Sequence, residues 1–133
     1  MSATPLTADH VRRLIGDIFV YHMPFNRELG LKLTRHESDA AQLEFERDEK
    51  LVGNALQRIL HGGVIASVLD VAAGITCVTS ALLRQPALSE QDLRHRLAHM
   101  GTLSTCGWII CCPVTVSGLS LPATYCAAAT RFP

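Results

Sequence analysis

A chain of 133 residues with twelve acidic and twelve basic side chains and no net charge suits one domain around a single core. The balance excludes the basic surface that nucleic acid or an anionic membrane would need. The five cysteines are odd in number, and Cys106, Cys111, Cys112 and Cys126 crowd the tail without C-x-x-C spacing, which fits neither a disulfide framework nor a zinc site, so neither metal nor cofactor is expected.

The N-terminal stretch places Asp9, Arg12 and Arg13 inside an amphipathic pattern. It has no apolar h-region or cleavage site, so it is not read as a signal peptide and a cytoplasmic location is expected. Thr7 suits the N-cap of a helix in which Val11, Leu14, Ile15, Ile18 and Phe19 share a face, and Pro24 forbids its continuation. From Leu29 the period changes to two: Leu31 and Leu33 lie on one side, a polar turn follows through His36-Glu37-Ser38-Asp39, and Ala41, Leu43 and Phe45 alternate with Gln42, Glu44 and Glu46. This predicts a hairpin with one wet face over Leu29–Phe45. Gly53-Asn54 then begins the approach to the central segment.

That segment opens with Leu60-His61-Gly62-Gly63. Val64, Val68, Val71, Ile75, Val78 and Leu82 recur at steps of four and three, with Ile65, Leu69 and Ala72 in the adjoining rows, so a helix apolar nearly all round is expected, and such a helix is buried. Asp70 is the one carboxylate between His61 and Arg84. Its helix-interior position is unfavourable by propensity, and burying it unpaired would cost several kcal/mol, of order 2–7 even for a neutral polar group. A task in catalysis is one reading; a structural Asp bonded to backbone is the other. The two glycines let a backbone or ligand approach the first turn, whose free N–H groups and positive dipole end suit a developing negative charge. Beyond Pro86, Ser89-Glu90-Gln91-Asp92 resembles a capping box opening a short, charged, solvent-exposed helix through Leu97.

His61-Gly62-Gly63 with Asp70 two turns on resembles the signature of the hot-dog-fold acyl-CoA thioesterases of the PaaI type. The flanking Tyr21-His22-Met23-Pro24-Phe25-Asn26, Val52-Gly53-Asn54 and Asp70-Val71-Ala72-Ala73-Gly74 are similar to the YigI-like branch of that family. The resemblance runs over residues 1–102. It implies an α+β hot-dog fold, an antiparallel sheet wrapped round the central helix, and hydrolysis of medium- to long-chain fatty acyl-CoA to acid and CoA without a cofactor. By the same resemblance Asp70 attacks the thioester carbonyl or activates a water, and Gly62 offers its N–H to the carbonyl oxygen. His61 orients the turn rather than acting as general base. Asn54 holds the water or substrate carbonyl, with Gln57 as its rival and a loop-capping role open to either, and Gly63 and Gln57 face substrate. Subunits of the family pair as dimers or tetramers, each site joining Asp70 of one chain to the Gly62 turn of another. No nucleic-acid or membrane partner is implied.

From Gly101 to Thr130 no residue is charged, whereas all the acids and eleven of the twelve basic residues precede this stretch. Pro113 and Pro122 interrupt would-be strands, and outward-facing polar positions are lacking. Joining the last base of each codon to the first two of the next forces Asp from Trp108-Ile109, Leu from Cys111-Cys112 and Leu from Tyr125-Cys126. The unforced junctions from Leu103 permit a charged, sheet-like string similar to the family's next strands. Residues 103–133 are therefore read as an out-of-frame tail without native structure. The hot-dog is then incomplete for want of its later strands, and this copy is inactive. Two other functions compete: a small membrane protein anchored by the apolar segment 102–130, and a non-catalytic or dehydratase-like hot-dog acyl-CoA binder in which His61 would be the base.

Overall fold

The computed structural model describes residues 6–85 and 88–99, and the backbone of 114–118 and 124–130. Helix α1 (Ala8–Gly16) begins where the sequence predicts, Thr7 Oγ1 accepting the His10 N–H at 3.3 Å, and it buries Val11 and Ile15. The chain then widens into a π-helical segment, Asp17–His22, and Pro24 stands in the first turn of a further short helix, α2 (Pro24–Glu28). A π-helical turn pairs each carbonyl with the N–H five residues on. Phe19 would look to residue 24, and proline brings no N–H. Asn26, 3% exposed, supplies the missing donor through Nδ2, 2.6 Å from the Phe19 carbonyl oxygen.

Gly30, at φ +67°, turns the chain into the expected hairpin between β1 (Lys32–His36) and β2 (Ala40–Glu46), with Leu33 opposite Leu43 and Lys32 opposite Glu44. Ala41, Leu43 and Phe45 point inward and are fully buried, while Lys32 Nζ and Glu46 Oε1 pair at 2.7 Å on the outer face. The chain continues through β3 (Val52–Asn54), β4 (Ile59–Leu60), the central helix α3 (Gly62–Leu83) and α4 (Glu90–His99).

The expected absence of later strands differs from the described backbone. Val114–Gly118 (β5) and Thr124–Thr130 (β6) are extended and complete a four-stranded antiparallel sheet of order β1-β2-β6-β5, with Ala40 opposite Thr130 and Glu46 opposite Thr124. The physical reason is that a ladder is built from backbone N–H and C=O groups, so the open edge of β2 accepts a neighbour whatever side chains it carries. The remaining tail positions, 100–113, 119–123 and 131–133, lie outside the described residues. Strand backbone at 114–118 and 124–130 is also unlike the spanning helix that a tail anchor over 102–130 requires.

Helix α3 lies across β2, β5 and β6 and receives α1 on its other side. Burial is concentrated in its later turns, where Val68, Ala72, Ile75, Val78 and Leu82 are all 2% exposed or less. Val64, Ile65, Leu69 and Val71 are only half-buried and Ala66 is exposed, so the all-round burial expected of this helix fails over its first turns, which the described sheet does not cover. The capping box forms with Asp92 in the acid position: Asp92 N–H donates to Ser89 Oγ and Ser89 N–H to Asp92 Oδ2, both at 3.2 Å. Helix α4 is not simply exposed, because Leu93 is fully buried, Leu97 half-buried, and the Leu88 carbonyl before it accepts the Leu6 N–H at 2.8 Å.

Two anchors generate predictions. Asn26→Ala removes the donor from the Phe19 carbonyl and should destabilise the fold by about 1–3 kcal/mol in a denaturant titration, the cost of a buried acceptor left unmade. His36, half-buried at the end of β1, places Nε2 2.7 Å from Oγ1 of the buried Thr79 on α3. Burial foremost, and then the Arg12 guanidinium, hold this imidazole below its usual pKa. A depressed pKa means that the unfolded chain takes up the proton more readily than the fold. The contribution of His36 is therefore full above the ordinary histidine value of about 6.5 and is lost as pH falls through the lower folded value. Melting temperature followed from neutral to acid pH should fall less steeply in His36→Gln than in the parent.

Candidate active site

The entry turn of α3 is built by the segment before it. Asp48 Oδ1 accepts the Lys50 N–H at 3.1 Å and starts a 3-10 turn over Glu49–Leu51. Strand β3 leaves that turn and pairs with β4, Val52 opposite Leu60 and Asn54 opposite Ile59, with Gly53 the extra residue of the irregularity between them. The hairpin delivers His61, whose N–H donates to the Leu51 carbonyl at 2.8 Å.

His61 is the N-cap of α3. Its Nδ1 accepts the Gly63 N–H at 2.9 Å, and its carbonyl accepts the N–H groups of Val64 and Ile65 at 3.0 and 3.3 Å. An Nδ1 that accepts belongs to a ring carrying its proton on Nε2, if neutral. The N–H of Gly62 has no acceptor among the described residues. A Cβ built on Gly62 would meet nothing within 4 Å, whereas one on Gly63 would stand 3.0 Å from His61 Nδ1. Gly63 is thus placed beneath the imidazole and permits the cap; Gly62 faces open space with a free donor at the positive end of a 22-residue helix.

Asp70 is half-buried on α3. It stands eight residues beyond Gly62, about 12 Å along the axis at 1.5 Å per residue, so the turn and the carboxylate of one chain are not brought together. Asn54 and Gln57 do meet, in the loop between β3 and β4. Asn54 Oδ1 accepts the N–H groups of Leu56 and Gln57 at 3.0 and 3.1 Å, and its Nδ2 lies 3.4 Å from Gln57 Oε1. Arg58, at φ +53°, closes the loop. Both amides are exposed and occupied with each other and with the turn, which is the loop-capping role left open above.

Among the described residues no cluster of His, Cys, Asp or Glu could hold a metal ion. Two open concavities, of about 330 Å³ between α1 and β1 and about 360 Å³ between α3 and α4, touch neither the entry turn nor Asp70. Gly53 was not singled out by the sequence as a site residue, yet it lies against His61; a glycine interrupting a strand was the available signal.

No protein-family model matches the chain. It is 57% identical over 103 residues to the medium/long-chain acyl-CoA thioesterase YigI of Escherichia coli K12 and 58% identical over 103 residues to its Salmonella typhimurium counterpart, a match that covers 77% of this chain and 66% of each relative. The matched part therefore spans just under two thirds of the length of these relatives. Among solved structures, a Shewanella oneidensis protein related to the thioesterase superfamily superposes with a TM-score of 0.67 at 22% identity, covering 94% of this chain and 97% of that one. A thioesterase-type protein from Syntrophus aciditrophicus gives 0.56 at 20% identity over 91% and 95% of the two chains. At these identities the structures speak for the fold, the relatives for descent: the chain has the hot-dog fold and is, over 103 residues, a homologue of the YigI acyl-CoA thioesterases.

Proposed function

We propose that this chain carries the site of an acyl-CoA thioesterase that hydrolyses medium- to long-chain fatty acyl-CoA to free acid and CoA in the cytoplasm, without cofactor. The observation that carries the reading is the open Gly62 N–H in an entry turn whose other donors are engaged. A thioester carbonyl oxygen seated on that donor gains charge as its carbon is attacked, and the N–H together with the helix dipole stabilises it by about 3 kcal/mol. Asp70 supplies the attack, either directly through its carboxylate or by taking a proton from water. When Asp70 takes the proton from water, the hydroxide adds to the carbonyl, the C–S bond breaks and the proton passes to the departing CoA thiolate. When Asp70 attacks directly, C–S cleavage leaves an acyl–Asp70 anhydride, which a water hydrolyses to free acid, its proton going to the thiolate. Asn54, or Gln57 beside it, would give up its long 3.4 Å contact with the other to steady the water or the carbonyl.

Distance favours a second copy in this reading. An oxyanion donor and a nucleophile each stand about 3 Å from the atoms of one carbonyl, so they lie within roughly 7 Å of each other, and about 12 Å of helix separates Gly62 from Asp70 in one chain. Asp70 of one subunit facing the Gly62 turn of its neighbour satisfies the geometry. Val64 and Val71 on one flank of the buried Val68 row, and Ile65 and Leu69 on the other, are half-buried and leave apolar surface for a dimer or tetramer to cover. Substrate then lies in the groove between subunits. The dehydratase-like reading is less favoured, because His61 Nδ1 is spent on the cap.

We also propose that the reading frame shifts near Leu103, so that the chain as written is impaired. The charge-free stretch from Gly101 to Thr130 and the forced codon junctions support this. Strand backbone at β5 and β6 does not by itself replace the polar outer face of a sheet.

In a frame-restored chain, Asp70→Asn should leave the melting temperature near the parent's and lower acyl-CoA hydrolysis roughly 10²–10⁴-fold. Gly62→Ala, whose methyl enters open space, should fold normally and lose about 10²-fold. His61→Ala should lose less activity while costing about 0.5–2 kcal/mol of stability as a missing cap. A larger activity loss in His61→Ala than in Asp70→Asn would reverse the roles.

For the frame itself, the unaltered chain should yield insoluble or inactive product, and restoring the alternative frame from Leu103 should return both solubility and turnover. A soluble, cooperatively melting acyl-CoA hydrolase obtained from the unaltered chain would dismiss the shift.

A further inference from the structure

We propose that Gly53 is a positioning residue for the oxyanion turn: the irregular strand β3 is a strap that sets where the Gly62 N–H points, and it does so because residue 53 has no side chain. The inference rests on the reading of Gly62 as the oxyanion donor and adds the element that holds it in place.

A Cβ built on Gly53 would stand 2.6 Å from the Cα of His61 and 3.0 Å from its Cβ. The nearer atom is backbone, which cannot rotate aside as a side chain can, so any L-residue at 53 pushes the N-cap of α3 away from β3. Two hydrogen bonds tie the same atoms from the other directions. The His61 N–H is held by the Leu51 carbonyl at 2.8 Å, and the His61 ring is held by the Gly63 N–H at 2.9 Å. The peptide that carries the Gly62 N–H lies between these two bonds and follows any shift of His61.

The irregularity in the ladder explains how β3 comes so close. Val52 pairs with Leu60 and Asn54 with Ile59, so Gly53 is an unpaired extra residue, and a bulge of this kind turns its strand toward whatever lies beside it. Strap and loop are also separately stabilised. Asn54 Oδ1 closes the loop at one end and Asp48 caps the turn at the other, and Gly53 lies between them against the helix start. An error of about 1 Å in such a donor is enough to cost about 10²-fold in rate.

The test uses the frame-restored chain throughout and needs no substrate for its first readout. In the parent, hydrogen exchange followed by NMR should find the His61 amide protected and the Gly62 amide fast. A His61 amide that exchanges like an exposed loop amide would overturn the strap. In Gly53→Ala, the Gly62 and Gly63 amide shifts and the His61 Nδ1 resonance should move, while the amides of Ile75, Val78 and Leu93 in the core stay in place. Unmoved turn resonances, or turn and core resonances displaced together, would each overturn the proposal.

In the frame-restored chain, Gly53→Ala should lower kcat about 10²-fold with little change in KM, because the misplaced donor meets the oxygen only as charge develops. A rise in KM alone would count against it. A parent without acyl-CoA hydrolysis would sink the thioesterase reading and leave the amide measurements to judge the strap.

Discussion

An apolar helix of 22 residues cannot stand alone in water, and the rest of this fold follows from wrapping α3. Two layers cover its later turns. The sheet takes one side through Leu43 and Phe45 of β2, and α1 takes the other through Val11 and Ile15, so that Ile75, Val78 and Leu82 are sealed. Leu93 of α4 reaches the same core. Each fully buried aliphatic side chain contributes about 1.5–3 kcal/mol relative to exposure, which makes this cluster the main source of stability and gives α3 the rigidity that a site mounted at its start requires.

Polar bonds at the edges of the core satisfy groups that the packing or a helix start would otherwise leave open. Asn26 answers the Phe19 carbonyl that Pro24 leaves open, Thr79 meets His36 across from β1, and Ser89 and Asp92 cap each other at the start of α4. The first two join a peripheral element to its neighbour, and the third caps α4. The ion pairs, by contrast, lie on the surface, as Lys32 with Glu46 and Arg94 with Glu90, and pairs of that kind add at most about 1 kcal/mol each.

Where the wrapping stops, chemistry becomes available. The first turns of α3 emerge from the core with His61, Gly62 and Gly63 exposed, and the hairpin of β3 and β4 fastens this end without burying it. The cap spends the imidazole on Gly63 and leaves the Gly62 N–H unspent, which in the function proposed above spares the donor any reorganisation as charge develops on a bound oxygen. The half-buried side chains of the first turns and the separation of Gly62 from Asp70 fit a site shared between two subunits, as proposed above. The same exposure would be an aggregation liability in an isolated chain.

Much of this architecture was legible in the residues. The period of four and three from Val64 to Leu82 marked the helix, the alternation of Ala41, Leu43 and Phe45 marked the inner face of β2, Thr7 and Ser89 marked helix starts, and His61-Gly62-Gly63 marked the entry turn, because local periodicity and capping chemistry act over a few residues. The π-helical segment was not legible, since it depends on Asn26 reaching back seven residues to Phe19. The docking of α4 was not legible either, because one buried Leu93 in a charged helix leaves almost no periodic signal. The tail showed an absence of coded alternation, yet its backbone at 114–118 and 124–130 pairs beside β2, where the ladder depends on an open edge rather than on side chains. Sequence by itself determined that His61-Gly62-Gly63 opens the central helix and that Asp70 is that helix's one carboxylate. Tertiary structure alone decided that Gly53 rests on His61 and that the later turns of α3 are sealed while the first are not, because close approach and burial are properties of which segments meet, and no local pattern encodes a meeting between distant residues.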